Sequence, residues 1–315
     1  MKTHFGYEIF MINTAVYDGR KIVITLLLIF IFVSICGAQH NRPMAVAESD
    51  LPHFFLDILN FPSDSQGVSR IDFYIQVPHE MLSFVKSENL FQASYEVTID
   101  IVDKVGNLVS EKLWTENIST EDYKESVSPL TGKMSQKTFY LKPAEYDFVV
   151  QIRDVETKKL SQVRRAITVR KFAEKFSMSD IMVVKQLNQE GDKNIIVPNI
   201  AATIGSDPQM IPFFFEVRTT TIPVEAKFVL SLSSKIGVVV RNDTLKKTIT
   251  KSKQSCFMNI SSNALVAGEY TVEVKAFVPD SSDSSKQTML ASASRSLQVR
   301  IQGLPVTAGA ESLVA

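Results

Sequence analysis

Cysteine is nearly missing from this chain: 315 residues hold only Cys36 and Cys256. If the amino-terminal segment is removed, as argued below, the mature chain cannot close an internal disulfide, which excludes a small disulfide-stapled scaffold. Histidine is scarce too, and His4, His40, His53 and His79 form no close pair. No HExxH, GxSxG or CxxC occurs, nor any phosphate-cradling glycine loop. The sequence therefore supplies no catalytic, cofactor-binding or metal-binding set, and it reads as a non-enzyme. An excess of one charge is also missing, since Lys+Arg and Asp+Glu number 34 each. Without a basic surplus, nucleic acid is not an expected partner.

What is present begins with an amino-terminal signal. After Arg20 and Lys21, Ile22 to Ile35 form a 14-residue apolar run, followed by Cys36-Gly37-Ala38-Gln39. A spanning helix needs about 20 apolar residues, whereas a basic start, a short apolar core and small residues at the cut describe a secretory signal. Residues 1–38 are expected to direct export to the periplasm or cell surface, with cleavage before Gln39 and a linker over 39–49. The alternatives are an uncleaved membrane anchor and lipid modification of Cys36. Ile35 stands against the latter, because that processing wants a small residue before the cysteine. Membrane contact is expected only through an uncleaved signal or a lipidated Cys36, and Met11 is an alternative start.

Beyond residue 50, long segments of helical period are hard to find, and the apolar pattern runs mostly with period two. RIDFYIQV (Arg70–Val77), ASYEVTIDIV (Ala93–Val102), EYDFVVQI (Glu145–Ile152), the stretch Ala226–Leu232 and EYTVEVKA (Glu269–Ala276) alternate apolar and polar residues. That is the pattern of strands with one buried face. Turn residues punctuate them at short intervals, as at Gly106, Gly132, Pro143 and Gly268. Many short strands without long crossovers predict an all-β chain of β-sandwiches, about seven strands each.

The chain also repeats itself. LKPAEYDFVVQIRD (Leu141–Asp154) is echoed by LVAGEYTVEVKAF (Leu265–Phe277). Tyr146 and Tyr270 lie 124 positions apart, Gly106 and Gly237 131, and Val169 and Val299 130. Order is kept while offsets drift by loop-sized amounts, as in duplicated domains. Two tandem immunoglobulin-like (fibronectin-III-like) sandwiches are expected at residues 50–172 and 177–302, after the signal helix. KFAEKFSMS (Lys171–Ser179) should join them, with Ile181–Val184 as the second module's first strand and a frayed tail over 303–315. In the repeated phrase, Tyr146 and Tyr270 are placed as tyrosine corners, each returning its hydroxyl to the backbone of the preceding turn.

Several segments resemble the amino-terminal region of exported bacterial GWxTD-domain proteins: DFYIQVPHEMLSFVK (Asp72–Lys86), FQASYEVTIDIVD (Phe91–Asp103), KLW (Lys112–Trp114), FYLKPAEYDFVVQIRD (Phe139–Asp154) and SMSDIMVV (Ser177–Val184). The resemblance covers nearly all of residues 50–305 and implies β-sandwich modules ahead of a carboxy-terminal signature domain. Gly303-Leu304-Pro305 is similar to the point where that domain begins. No GWxTD sequence occurs, and the single tryptophan, Trp114, is followed by Thr115-Glu116. The chain therefore resembles the sandwich half of such a protein, as a truncated or split product would, and no catalytic residue carries over.

The remaining candidates each have a plain structural reading. His79 suits a turn, and Cys256 a buried thiol. Phe213-Phe214-Phe215 suits a strand buried on both sides, against an exposed aromatic platform for a glycan. Lys246, Lys247, Lys251 and Lys253 suit an edge strand that resists sheet-to-sheet pairing, against an anion site. Glu190–Asn194 and Asp280–Ser285 suit polar turns, against calcium loops. Asn117, Asn242 and Asn259 head glycan-acceptor triplets, which are chance matches in an exported bacterial protein. The function expected is a scaffold or protein-interaction role in the cell envelope, with protein partners there. The alternative is a carbohydrate-binding or accessory module of a separate enzyme.

Overall fold

The computed structural model describes residues 54–190, 193–205, 209–279 and 287–300. The signal segment with Cys36, the histidines His4, His40 and His53, the linker over 39–49, the side chains of Glu190–Asn194, the loop Asp280–Ser285 and the tail over 303–315 lie outside the described residues. Among the described residues no helix is long and apolar enough to cross a membrane.

The alternating segments form strands, and the strands form two-sheet sandwiches. In the first, β1 (Phe55–Pro62), β2 (Ser69–Pro78) and β6 (Gly132–Leu141) make a three-stranded antiparallel sheet in the order β1-β2-β6. Facing it, β4 (Leu90–Asp103) lies between β5 (Leu108–Thr120) and β7 (Glu145–Asp154), with β8 (Leu160–Thr168) beyond β7 and the short β3 (Val85–Ser87) against the start of β4. Alternation places Tyr95, Val97, Ile99 and Ile101 of β4 and Phe148, Val150 and Ile152 of β7 inside, against Ile71, Phe73 and Ile75 of β2. Phe73 meets Phe139 and Phe148 edge-on, each at 5.1 Å between ring centres.

The second sandwich repeats this plan. β13 (Met210–Thr219) pairs with β16 (Lys253–Ser261), and β9 (Phe176–Met178) and β10 (Met182–Glu190) follow one another along β13. Phe176 already belongs to this sheet, so the joining segment ends earlier than KFAEKFSMS suggests. The facing sheet runs β15 (Val239–Ile249), β14 (Val224–Ser234), β17 (Gly268–Pro279), β18 (Gln287–Arg300). Its core holds Phe213, Phe215, Phe228, Leu230, Leu232, Val272 and Val274.

The two copies agree in detail. Asp103–Asn107 and Ser234–Val238 are the same hairpin turn, and each needs its glycine, because Gly106 (φ 92°) and Gly237 (φ 82°) occupy backbone that side chains rarely adopt. Val169 donates its amide to Ala144 (2.8 Å), and Val299 pairs with Gly268, each partner lying two residues before the corner tyrosine. Lys112 of β5 donates to the Thr138 carbonyl (2.6 Å), and Lys247 of β15 to the Ser255 carbonyl (3.1 Å). Each lysine ties an edge strand of one sheet to the sheet opposite.

One excursion is unique to the second copy. Between β10 and β13 the chain forms a hairpin with β11 (Lys193–Pro198) and then adds β12 (Thr203–Gly205) parallel to β18. In the first copy only Ser63–Val68 separates β1 from β2.

Candidate functional site: the joint between the sandwiches

The sequence pattern gives β2 one buried face, yet almost every residue of β2 is buried. The reason is that Leu59, Phe61 and Tyr74, on the outer face of the first sandwich, pack against Met182, Val184, Ile200 and Phe214 on the outer face of the second, with Ile196 and Phe257 at the margin. Phe214 lies 5.3 Å from Phe257 and 6.5 Å from Phe61 between ring centres. Phe213 and Phe215, its neighbours in sequence, point the other way into the core. The three phenylalanines are thus buried on both sides of β13, which leaves no aromatic platform there.

Polar groups ring this apolar contact. Asp180 accepts from the Asn60 amide (2.8 Å) and from its Nδ2 (2.9 Å), and the Arg170 guanidinium donates to the other carboxylate oxygen. Asn60 returns its carbonyl to the Asp180 amide (2.9 Å) and its side-chain oxygen to the Arg170 amide (3.0 Å). Arg170, which also covers the Phe172 ring at 4.8 Å, therefore links the segment just past β8 to the one just before β10. Arg70 sits 4.2 Å above the Phe61 ring, between Asp72 (3.3 Å) and the buried Glu216 (3.4 Å) of the second sandwich, and Lys253 reaches the same Glu216 oxygen (3.5 Å). The Arg218 guanidinium donates to the Ser63 carbonyl.

A third link joins the buried Asp57 to the half-buried Arg295 (2.8 Å). Burial raises the Asp57 carboxyl above the usual carboxylate range, and Arg295 only partly opposes it. Arg295 has a counterpart 130 positions earlier in Arg165. Arg165 donates to the Leu56 carbonyl of β1 (3.0 Å) and Arg295 to the Ile181 carbonyl at the entry to β10 (3.1 Å), so each clasps an early segment of its own sandwich.

Two clefts open at the joint. One of about 460 Å³ is lined by Arg70, Asp72, Tyr74, Gln136 and Tyr140 of the first sandwich and by Met182, Ile196 and Phe214 of the second. The other, of about 420 Å³, lies between Phe55, Gln76 and Leu130 and the loop around Asn199–Thr203.

Protein-family models and curated proteins yield no match to this chain. Solved structures do yield matches. Red sea bream transglutaminase shares 10% identity over 78% of this chain and 31% of its own, with a TM-score of 0.23. Bacteroides uniformis β-glucuronidase shares 17% over 39% of this chain and 14% of its own (TM-score 0.24). Bacteroides uniformis β-glucuronidase 2, bound covalently to cyclophellitol-6-carboxylate aziridine, shares 8% over 74% and 26% (TM-score 0.27). The chain thus spans about a third or less of each of those proteins, and the likenesses carry nothing about mechanism or ligand.

Tyr146 donates its hydroxyl to the Lys142 carbonyl (3.1 Å) and Tyr270 to the Val266 carbonyl (2.9 Å), each four residues back. His79 is buried in a 3-10 turn, its Nδ1 3.0 Å from the Glu125 carbonyl oxygen and its ring against Phe84. Cys256 is fully buried, and burial pushes its thiol up to about 11. Lys246 and Lys247 lie on edge strand β15, and Lys253 on β16. Asn117, Asn242 and Asn259 are exposed on strands. Among the described residues no three His, Cys, Asp or Glu side chains come together as a metal would require. The joint residues Asp57, Asn60, Arg170, Asp180 and Arg295 escaped sequence reasoning. The one signal they left is the Arg165–Arg295 repeat.

Proposed function

We propose that this chain is an exported, non-enzymatic scaffold of the cell envelope that presents two immunoglobulin-like sandwiches in a fixed mutual arrangement to protein partners. The observation that carries the reading is the joint: a flexible tether would leave the outer faces of β2 and β13 wet, whereas here aromatic side chains and charge-assisted hydrogen bonds bury both. Export is supported by the basic start and 14-residue apolar run of the amino terminus. The resemblance to GWxTD-domain proteins supports an envelope setting and a chain that is one part of a larger design. Buried Phe213–Phe215 weighs against the carbohydrate-binding alternative, which needed those rings exposed.

The test pairs two measurements on the purified chain. Spin labels on exposed Asn117 of the first sandwich and Asn242 of the second should give one narrow distance distribution. A panel of chromogenic glycosides and peptides should show no turnover above buffer. A broad distribution refutes the fixed arrangement, and turnover refutes the non-enzymatic reading.

A further inference from the structure

Among the described residues the two sandwiches differ in how their sheet edges are covered. Edge strands β5 and β15 are tied to the opposite sheet by Lys112 and Lys247. Only the last three residues of the outer edge of β18 are covered by β12, which pairs with it in parallel at Thr203–Gln298, Ile204–Val299 and Gly205–Arg300, and the Gln298 amide donates to the Ala202 carbonyl (2.9 Å). The equivalent strand of the first sandwich, β8, pairs with β7, and among the described residues no strand lies along its other edge. The Val169 amide points inward to Ala144, so the antiparallel register turns the backbone groups of Gln162, Arg164, Ala166 and Thr168 outward. All four residues are exposed. Position 168 corresponds to Gln298, whose amide is satisfied by the added strand.

The open edge is also one-signed. From Lys158 to Thr168 the chain carries Lys158, Lys159, Arg164 and Arg165 and no acidic residue. The Arg164 side chain is 61% exposed, although it pairs with Asp147 at 2.8 Å. Such an edge repels a second copy of itself, because antiparallel pairing of two β8 strands would set arginines against arginines. The same charge attracts a strand that alternates acidic with β-branched residues.

We propose that the outer edge of β8 is a strand-addition site that takes an extended acidic segment of a partner protein along Gln162–Thr168. Backbone hydrogen bonds would supply the common part of the recognition, and Lys159 and Arg164 the selection for acidic side chains. This goes beyond the scaffold reading by naming the edge and the chemistry of the partner. It can fail while the joint and the fixed arrangement stand.

The probe is a short, capped, fluorescent peptide alternating glutamate with threonine and valine, titrated against the full chain. Its lysine-for-glutamate counterpart serves as the control. The acidic peptide should bind, weaken with added salt, and protect the amides of Arg164, Ala166 and Thr168 from hydrogen exchange. Ala166→Pro removes one outward donor without touching the β7 ladder and should weaken binding about fivefold, the worth of one net hydrogen bond. Arg164→Glu, at an exposed side chain, should weaken it independently and serves if the proline variant fails to fold. Equal binding of both peptides overturns the proposal, as does protection confined to other strands. So does a concentration-dependent dimer that Arg164→Glu strengthens, because that would assign the edge to a second copy.

Discussion

Removing the Asp180 carboxylate tests the joint at its most connected atom pair. In Asp180→Ala the Asn60 amide, the Asn60 side-chain amide and the Arg170 guanidinium all lose their acceptor at once. A hydrogen bond to a charged group contributes about 1.5–3 kcal/mol net when buried. Here the side chains of Asp180 and Arg170 are 24% and 32% exposed, so water replaces part of what is lost. The expected cost is therefore about 2 kcal/mol, well short of the sum of three full bonds. The single tryptophan makes the assay selective. Trp114 lies on β5, so its fluorescence follows the first sandwich alone, while circular dichroism follows both. In the parent chain the two urea transitions should coincide. In Asp180→Ala they should separate, and the label-to-label distance distribution should broaden. Asp180→Asn, which keeps an acceptor but not the charge, should fall between. Coincident transitions in Asp180→Ala with a loss below about 0.5 kcal/mol would show that the bonds around Asn60 do not couple the sandwiches.

Tyr146→Phe and Tyr270→Phe should each lower stability by about 1 kcal/mol in urea unfolding, because only the hydroxyl returned to Lys142 or Val266 is removed; no loss at either would strip the corner of its energetic role. Cys256 should resist thiol reagents at pH 8 and react on denaturation, since its ionisation is displaced to about 11. The same shift gives a sign for stability. The folded thiol holds its proton where the unfolded one, near 9, has lost it, so stability is full below pH 9 and falls as pH rises from 9 towards 11, a fall that Cys256→Ala should abolish. Gly237→Ala should cost about 1 kcal/mol in thermal or urea unfolding, because φ of 82° strains any side chain although nothing crowds the added carbon; an unchanged midpoint would show that the turn relaxes.

Most of the fold was legible because burial on one face leaves period-two alternation, and Val97, Ile99 and Ile101 obey it residue by residue. The duplicated positions were legible for a related reason. A glycine held at positive φ and a tyrosine that closes a corner tolerate few substitutes, so both survive in each copy. The joint was hidden by the same alternation. Asp72 and Tyr74 occupy outward positions of β2, where a polar or amphipathic residue reads as solvent-facing, and pairwise contact with a surface over a hundred residues away leaves no period. β11 and β12 were hidden because they have no counterpart in the first copy, so the repeat gave no hint of them.

The arginines at 165 and 295 suggest how little a coupled pair of modules requires. Each already grips an early segment of its own sandwich through a backbone carbonyl, a contact that any free-standing copy could make. In the second copy the same guanidinium also forms an ion pair with a single carboxylate on the neighbour, Asp57. A fastening inside one module thus becomes a fastening between two by one substitution on the other. A tandem array built from such modules can acquire fixed geometry gradually, each step leaving the individual folds intact.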